Sequence, residues 1–360
     1  MNLTSEEKLL FYSSCPSFFE KKCEILISLI KSGIDWRSME SLLQKKPHLD
    51  EMLPGLFYHL NKLELLTLVP RDFYNRIKLE YFQNSARNLV FLNELMFLLK
   101  KLAEKGINAV PFKGGDFIKR IYPVPGIRKM EDLDLLVPEN VLGKSIDVLE
   151  KAGFSYIETN DGNHCTFLKE RRGHQIFLEV HWDLINRNSP AQKYAFQIQM
   201  EEIYKNLKSV NMDGLNLPVL STEDYLLYLS AHLVKESFRN YKWFGDVYEL
   251  TLKDEGFIDW EKLISDARGY RVDRTLYYTL DMVKRNLDAD QIPQKVLESL
   301  RPERMGNLEK LFYRRLLGKR TLPKSLTYWV LINGLKGKAG FLYGSFGYLW
   351  WKTKRAVREI

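Results

Sequence analysis

Only three cysteines occur in 360 residues: Cys15, Cys23 and Cys165. So sparse and odd a set builds no disulfide framework, and a reducing cytosol is the simpler setting. His164, Cys165 and His174 lie close in sequence, but without a second cysteine pair at ligand spacing they make no zinc motif. The N-terminus, beginning Met1-Asn2-Leu3-Thr4, lacks the charged-then-apolar pattern of an export signal, so a cytoplasmic chain is expected. Uncharged runs such as 325–335 and 339–351 fall short of the ~20 apolar residues that span a bilayer. No internal repeat or low-complexity linker interrupts the chain.

What remains is an ordinary globular composition, 45% apolar and 13% aromatic, with length for two or three packed units. The net charge of +8 is unevenly placed: residues 301–360 hold 14 Lys or Arg against three acids, whereas residues 1–300 hold 40 against 43. The basicity belongs to the tail.

Four regions are expected. Residues 1–105 read as a helical region, with apolar side chains at three- and four-residue spacing and Pro16, Pro47, Pro54 and Pro70 as helix boundaries. A single long helix is predicted over 71–105, ended by Gly106. Residues 106–220 form an α/β core. Within it, strands are expected at Ile107–Phe112, Leu133–Val137 and Phe154–Thr159. A hairpin then joins Cys165–Leu168 to Gln175–Trp182 through the turn Glu170-Arg171-Arg172-Gly173. Residues 221–300 return to helix, with Ser221 and Asp224 as an acidic capping pair. Residues 301–360 are a basic aromatic tail. The fold class is α+β, a small mixed sheet flanked by N- and C-terminal helices.

Two short stretches carry the chemistry. Lys113-Gly114-Gly115 ends a strand and opens a short helix, where bare backbone N–H groups can approach phosphate oxygens. Asp132 and Asp134 alternate with Leu133 and Leu135, so both carboxylates project from one strand face while the leucines enter the core. Two carboxylates so placed repel unless a divalent cation lies between them, and magnesium takes carboxylates together with phosphate and water oxygens. Glu179 and His181 share a face of the hairpin, and Glu179 supplies a third acid if that strand lies beside the first. Arg128, four residues before Asp132, is placed to reach a triphosphate, as is Lys113.

These residues resemble a little-characterised nucleotidyltransferase family within the DNA polymerase β-like superfamily. The resemblance rests on Phe112-Lys113-Gly114-Gly115, Tyr122-Pro123, the run from Arg128 to Val137, and Leu178-Glu179-Val180-His181-Trp182. It extends more weakly to Ile34-Asp35-Trp36 and to the segment bearing His232, Lys235, Trp243 and Asp246, covering about residues 20–260. It implies Gly114 and Gly115 on the β- and γ-phosphates, Asp132, Asp134 and Glu179 as catalytic metal ligands for Mg2+ or Mn2+, and Lys113 and Arg128 as nucleotide contacts. It further implies an NTP substrate, with ATP the expected nucleotide, and transfer of its nucleoside monophosphate to an acceptor with release of pyrophosphate. His181, His232, Lys235, Trp243 and Asp246 are candidates for lining the acceptor or base pocket. Sixteen residues separate Gly115 from Asp132, with the loop after Tyr122 as an insertion.

Three other readings compete. A nucleotide-sugar-dependent glycosyltransferase also uses Asp-x-Asp but needs no upstream glycine turn. A haloacid-dehalogenase-type phosphatase would follow its acid pair with Thr or Val rather than Leu135 and Leu136. A non-catalytic nucleotide-binding module would have no need of all three acids. In the tail, eight aromatics lie between Tyr328 and Trp351, with Lys336 and Lys338 between two uncharged runs. This composition suits an anionic membrane surface, peripheral at the inner face, stacking on single-stranded nucleic acid, or packing onto its own domain.

Overall fold

A computed structural model gives the architecture and describes residues 3–160, 162–316, 324–332 and 338–343. The fold is α+β. Four helices come first: α1 (Ser5–Ser13), α2 (Phe18–Lys31), α3 (Trp36–Lys45) and α4 (Leu53–Lys62). Their starts follow from local chemistry. Thr4 and Glu7 form a reciprocal capping box at α1, and the Asp35 carboxylate accepts from the backbone N–H groups of Arg37 and Ser38 at α3. Pro54 lies in the first turn of α4 and Pro70 caps α5 (Arg71–Ala103), where a missing N–H costs nothing. At 33 residues, α5 runs for about 50 Å. It stops short of the predicted Lys105, with Gly106 at φ 72° just beyond its end.

The core sheet holds five strands in the order β1-β2-β5-β4-β3. These are β1 (Val110–Phe112), β2 (Asp132–Leu136), β3 (Ser155–Asn160), β4 (His164–Arg171) and β5 (His174–His181). Helix α6 (Gly114–Arg120) follows β1, and α7 (Leu142–Lys151) joins β2 to β3. Among the described residues only the β2–β5 pair of this sheet is parallel. One sheet face carries Leu133, Leu135, Ile176, Leu178 and Val180 into an apolar cluster with α5 and α7. The opposite face carries Asp132, Asp134, Glu179 and His181. Strand β1 is shorter than predicted: Ile107 and Ala109 are buried but unpaired in the sheet.

After the short helices α8 (Pro190–Ala195) and α9 (Met200–Lys205) comes a hairpin of β6 (Lys208–Met212) and β7 (Leu215–Val219). Sequence patterning did not anticipate it, although Asp213-Gly214 is a two-residue turn signal; both residues have positive φ, 49° and 84°. Helices follow among the described residues: α10 (Thr222–Lys235), α11 (Tyr241–Lys253), α12 (Trp260–Gly269), α13 (Asp273–Leu287), α14 (Gln294–Leu300), α15 (Asn307–Arg315) and α16 (Lys324–Leu331). Ser221 caps α10 as expected, accepting from the Asp224 N–H, but the Asp224 carboxylate takes the Ser221 hydroxyl instead of a backbone group. The N- and C-terminal helices share one apolar cluster, with Phe11 of α1 edge-on to Tyr241 and Phe244 of α11.

Part of the aromatic tail belongs to that packing: Tyr328 and Phe341 are buried, whereas Tyr343 is exposed. Phe346, Tyr348, Trp350 and Trp351 lie outside the described residues. Among the described residues no helix is long and apolar enough to cross a membrane.

The loop between α6 and β2 is fixed from two sides. Asn84 and Asn88 on α5, both buried, donate side-chain amide hydrogens to the carbonyls of Pro125, Gly126 and Arg128. From the other side Arg128 forms a two-bond ion pair with Asp246 of α11, at 2.7 and 2.8 Å, and Tyr122 donates its hydroxyl to the same carboxylate at 2.8 Å. Both charges are buried, so breaking the pair strands one of them in the core. Asp246→Leu or Arg128→Met alone is expected to cost about 3–5 kcal/mol, and the double variant less than either, because it leaves no unpaired charge. Urea unfolding of the three proteins measures this; additive losses would mean that the two charges do not act as a pair.

Candidate functional site

Parallel pairing of β2 and β5 sets Asp132 opposite Phe177 and Asp134 opposite Glu179. Because side chains at matched register share a face, Asp134 and Glu179 stand side by side, and Asp132 joins them two residues away. Carboxylate oxygens of the three lie within 4.8 Å of one another. Like charges at that spacing raise each other's cost. Burial and then Asp134 push the Asp132 carboxyl up to about 6.

Lys113 offsets the crowding. Its backbone sits at φ 53°, ψ −128°, a conformation that costs a non-glycine residue energy. That turn aims Nζ at Asp134 Oδ1, 2.5 Å away, and leaves it 3.6 Å from Glu179 Oε2. Burial alone would lower the ammonium pKa, but Asp134, with Tyr228, Glu179 and Asp132 added to it, outweighs that and holds Lys113 well above its ordinary value. His181 adds a second contact: Nε2 lies 3.1 Å from Asp134 Oδ1 and 3.0 Å from Glu179 Oε2. Burial would raise the Glu179 carboxyl, but the His181 hydrogen bond and Lys113 hold it below the usual range.

The two glycines have a packing reason as well. A Cβ on Gly115 would fall 2.5 Å from Leu95 of α5, and one on Gly114 would meet Met130 and the Arg128 guanidinium at 2.8–2.9 Å. The turn therefore lies flat on α5 and the pinned loop, and α6 starts at Gly114.

The candidate residues divide into two groups. Lys113, Glu179, His181, His232 and Lys235 line one cleft, together with Asn163, His164, Asn186 and Tyr228, and Asp132 and Asp134 adjoin it. Arg128 and Asp246 differ from the sequence expectation. They face each other behind the glycine turn, 3% and 0% exposed, with both charges committed to their mutual pair instead of a triphosphate or a pocket. Trp243 is also buried; its ring is 4.4 Å from His232 and 5.5 Å from the Arg128 guanidinium, a bridge between the two groups. Burial, then Lys113, press His232 well below its usual pKa, so it is neutral at pH 7.

Two residues of the cleft were not among the candidates for it, although His164 was weighed with Cys165 and His174 for zinc. Tyr228 of α10 meets Phe112 edge-on and covers Lys113; nothing local in the sequence marks it. His164 is different, because a signal existed. The hairpin turns through Arg172 and Gly173, both at positive φ, as a two-residue turn requires. Counting outward from the Arg171–His174 pair brings His164 opposite His181. Cys165 alternates into the core and His174 lies at the far end of the strand, so those two do not join His164.

Three close carboxylates form a hard-oxygen donor set that fits Mg2+ or Mn2+. The family described as uncharacterised nucleotidyltransferase matches residues 35–288. A search of curated proteins finds no match. Among solved structures, an antigenic nucleotidyltransferase-like protein from Paracoccidioides brasiliensis matches with 14% identity and a TM-score of 0.34, over 59% of this chain and 96% of that one.

The charge crowding has a measurable consequence for stability. The unfolded Asp132 carboxyl titrates near ~3.9, below its folded value of about 6. The folded state thus favours the protonated form, a contribution fully present below about pH 4 and lost as pH rises through 6. In chelator-containing buffer, Asp132→Asn is expected to gain on the order of 1–3 kcal/mol over wild type between pH 4 and 7.5. Urea unfolding at several pH values reads this directly, and a difference that stays constant with pH would contradict it.

Proposed function

The chain belongs to the family of uncharacterised nucleotidyltransferases, and from that membership we propose that it transfers a nucleoside monophosphate from an NTP, ATP foremost, to an acceptor. The observation that supports this reading most is the registered meeting of Asp132, Asp134 and Glu179 on adjacent parallel strands, beside the turn formed by Lys113, Gly114 and Gly115.

In the proposed reaction an acceptor oxygen, or another nucleophile, bonds to the α-phosphorus. The bond from that phosphorus to the bridging oxygen breaks, and pyrophosphate leaves. The acceptor loses its proton to solvent. Asp132, Asp134 and Glu179 would hold Mg2+ or Mn2+, which when bound neutralises phosphate charge and aligns attacking and leaving oxygens. The protein's own share is positioning and electrostatics. Lys113 keeps the acids tolerable to one another and lies within reach of an incoming phosphate. Glu179, held ionised by His181 and Lys113, suits a ligand better than a proton acceptor at neutral pH. His232, Tyr228 and Lys235 form the opposite wall, where the acceptor or base would rest. Association with a membrane surface through residues 326–351 is a separate proposal.

Incubating the full chain with each α-labelled NTP, Mg2+ or Mn2+, and a cell extract tests the reading. Label should appear on an acceptor with matching pyrophosphate release, and Asp132→Asn or Glu179→Gln should lower the rate at least about a hundredfold. Undiminished transfer by Asp132→Asn would remove the assignment. Label on the chain itself would identify the protein as its own acceptor.

A further inference from the structure

The face that carries the acids also carries two imidazoles. Antiparallel pairing sets His164 of β4 directly across from His181 of β5, with ring centres 4.8 Å apart. Glu179, two residues before His181, completes the group. Its Oε1 lies 3.5 Å from His164 Nε2, and its Oε2 lies 3.0 Å from His181 Nε2. One ligand atom from each of the three residues falls within 4.8 Å of the others.

The hydrogen bonding around His164 favours ligation. Its Nδ1 is 3.1 Å from Asn163 Oδ1. An amide oxygen only accepts, so Nδ1 carries the proton and Nε2 presents a bare lone pair toward Glu179. This is the arrangement by which outer partners orient metal-binding histidines.

The donor types are decisive. Magnesium and calcium take oxygen ligands and hold few imidazoles, whereas two histidines with one carboxylate suit first-row transition ions and zinc. We propose that His164, His181 and Glu179 form a mixed nitrogen–oxygen site for a divalent transition ion, distinct from the three-carboxylate group and joined to it through Glu179. An ion there takes up the lone pair of His181 Nε2, which faces Asp134 and Glu179. Lys113 does not forestall it: its ammonium is paired with Asp134 and approaches Glu179 on the Oε2 side, leaving Oε1 to His164. His164, Glu179 and His181 all line the cleft, whose space leaves coordination positions for water or substrate. Binding at this site requires neither nucleotide nor turnover.

The test is calorimetric titration of the full chain with Zn2+, and with Co2+ read by visible absorption, in millimolar Mg2+ and without nucleotide. Wild type should bind one ion despite the magnesium, with a cobalt spectrum showing nitrogen ligation. His164→Gln should weaken binding at least about tenfold, His164→Cys should restore zinc binding with a thiolate ligand, and Asp132→Asn should leave it within about twofold, because Asp132 belongs only to the oxygen site. Displacement of zinc from wild type by millimolar Mg2+ would overturn the proposal without recourse to any variant. Wild-type affinity in His164→Gln, or a tenfold loss in Asp132→Asn, would do the same.

Discussion

Mutual repulsion among three carboxylates on one sheet face is the constraint around which this molecule is arranged. Register alone brings Asp132, Asp134 and Glu179 together, and nothing in a strand pair relieves the resulting charge. Relief comes from Lys113, whose ammonium is delivered by a backbone turn that a lysine adopts only at a cost. The turn in turn needs two glycines, since α5 and the pinned loop leave no room for a Cβ at either position. A local electrostatic problem is thus answered by the packing of a helix more than thirty residues long.

The neighbouring walls depend on a second, wholly internal ion pair. Arg128 and Asp246 satisfy each other behind the glycine turn, with Tyr122 on the same carboxylate. Their bond spans 118 residues of sequence and fixes α11 against the loop that precedes β2. Through Trp243 and His232 the same contact sets the wall of the cleft that faces the acids. Burial makes the pair costly to form and costlier to break, which keeps the C-terminal helices from drifting off the sheet.

How much of this the sequence disclosed depends on the distance over which each signal acts. Alternation along Asp132-Leu133-Asp134 and along Glu179-Val180-His181 is a property of adjacent residues, and the faces came out as the period requires. The cap at Ser221, the prolines of the N-terminal helices and the end of α5 at Gly106 are equally local. Arg128 showed where locality ends: its spacing from Asp132 suggested a phosphate, but its partner lay on a distant helix. The β6–β7 hairpin has its turn signal at Asp213-Gly214, but Pro218 and polar residues blur the alternation of its strands. Tyr228 could be placed only by the folded arrangement of α10 over β1.

The two-residue turn at Arg172-Gly173 carries a consequence for how this chain can vary in length. Strand periodicity makes a hairpin a ruler: one residue more or less in the turn shifts every later position of β5 to the opposite face. Glu179 and His181 would then point into the cluster beneath the sheet, and Ile176, Leu178 and Val180 would take the cleft. The hairpin at Asp213-Gly214 bears no such burden, because none of the candidate site residues follows in register from it. Descendants of this sequence can lengthen at the second turn and keep their chemistry, while at the first they can exchange residues but not change their number.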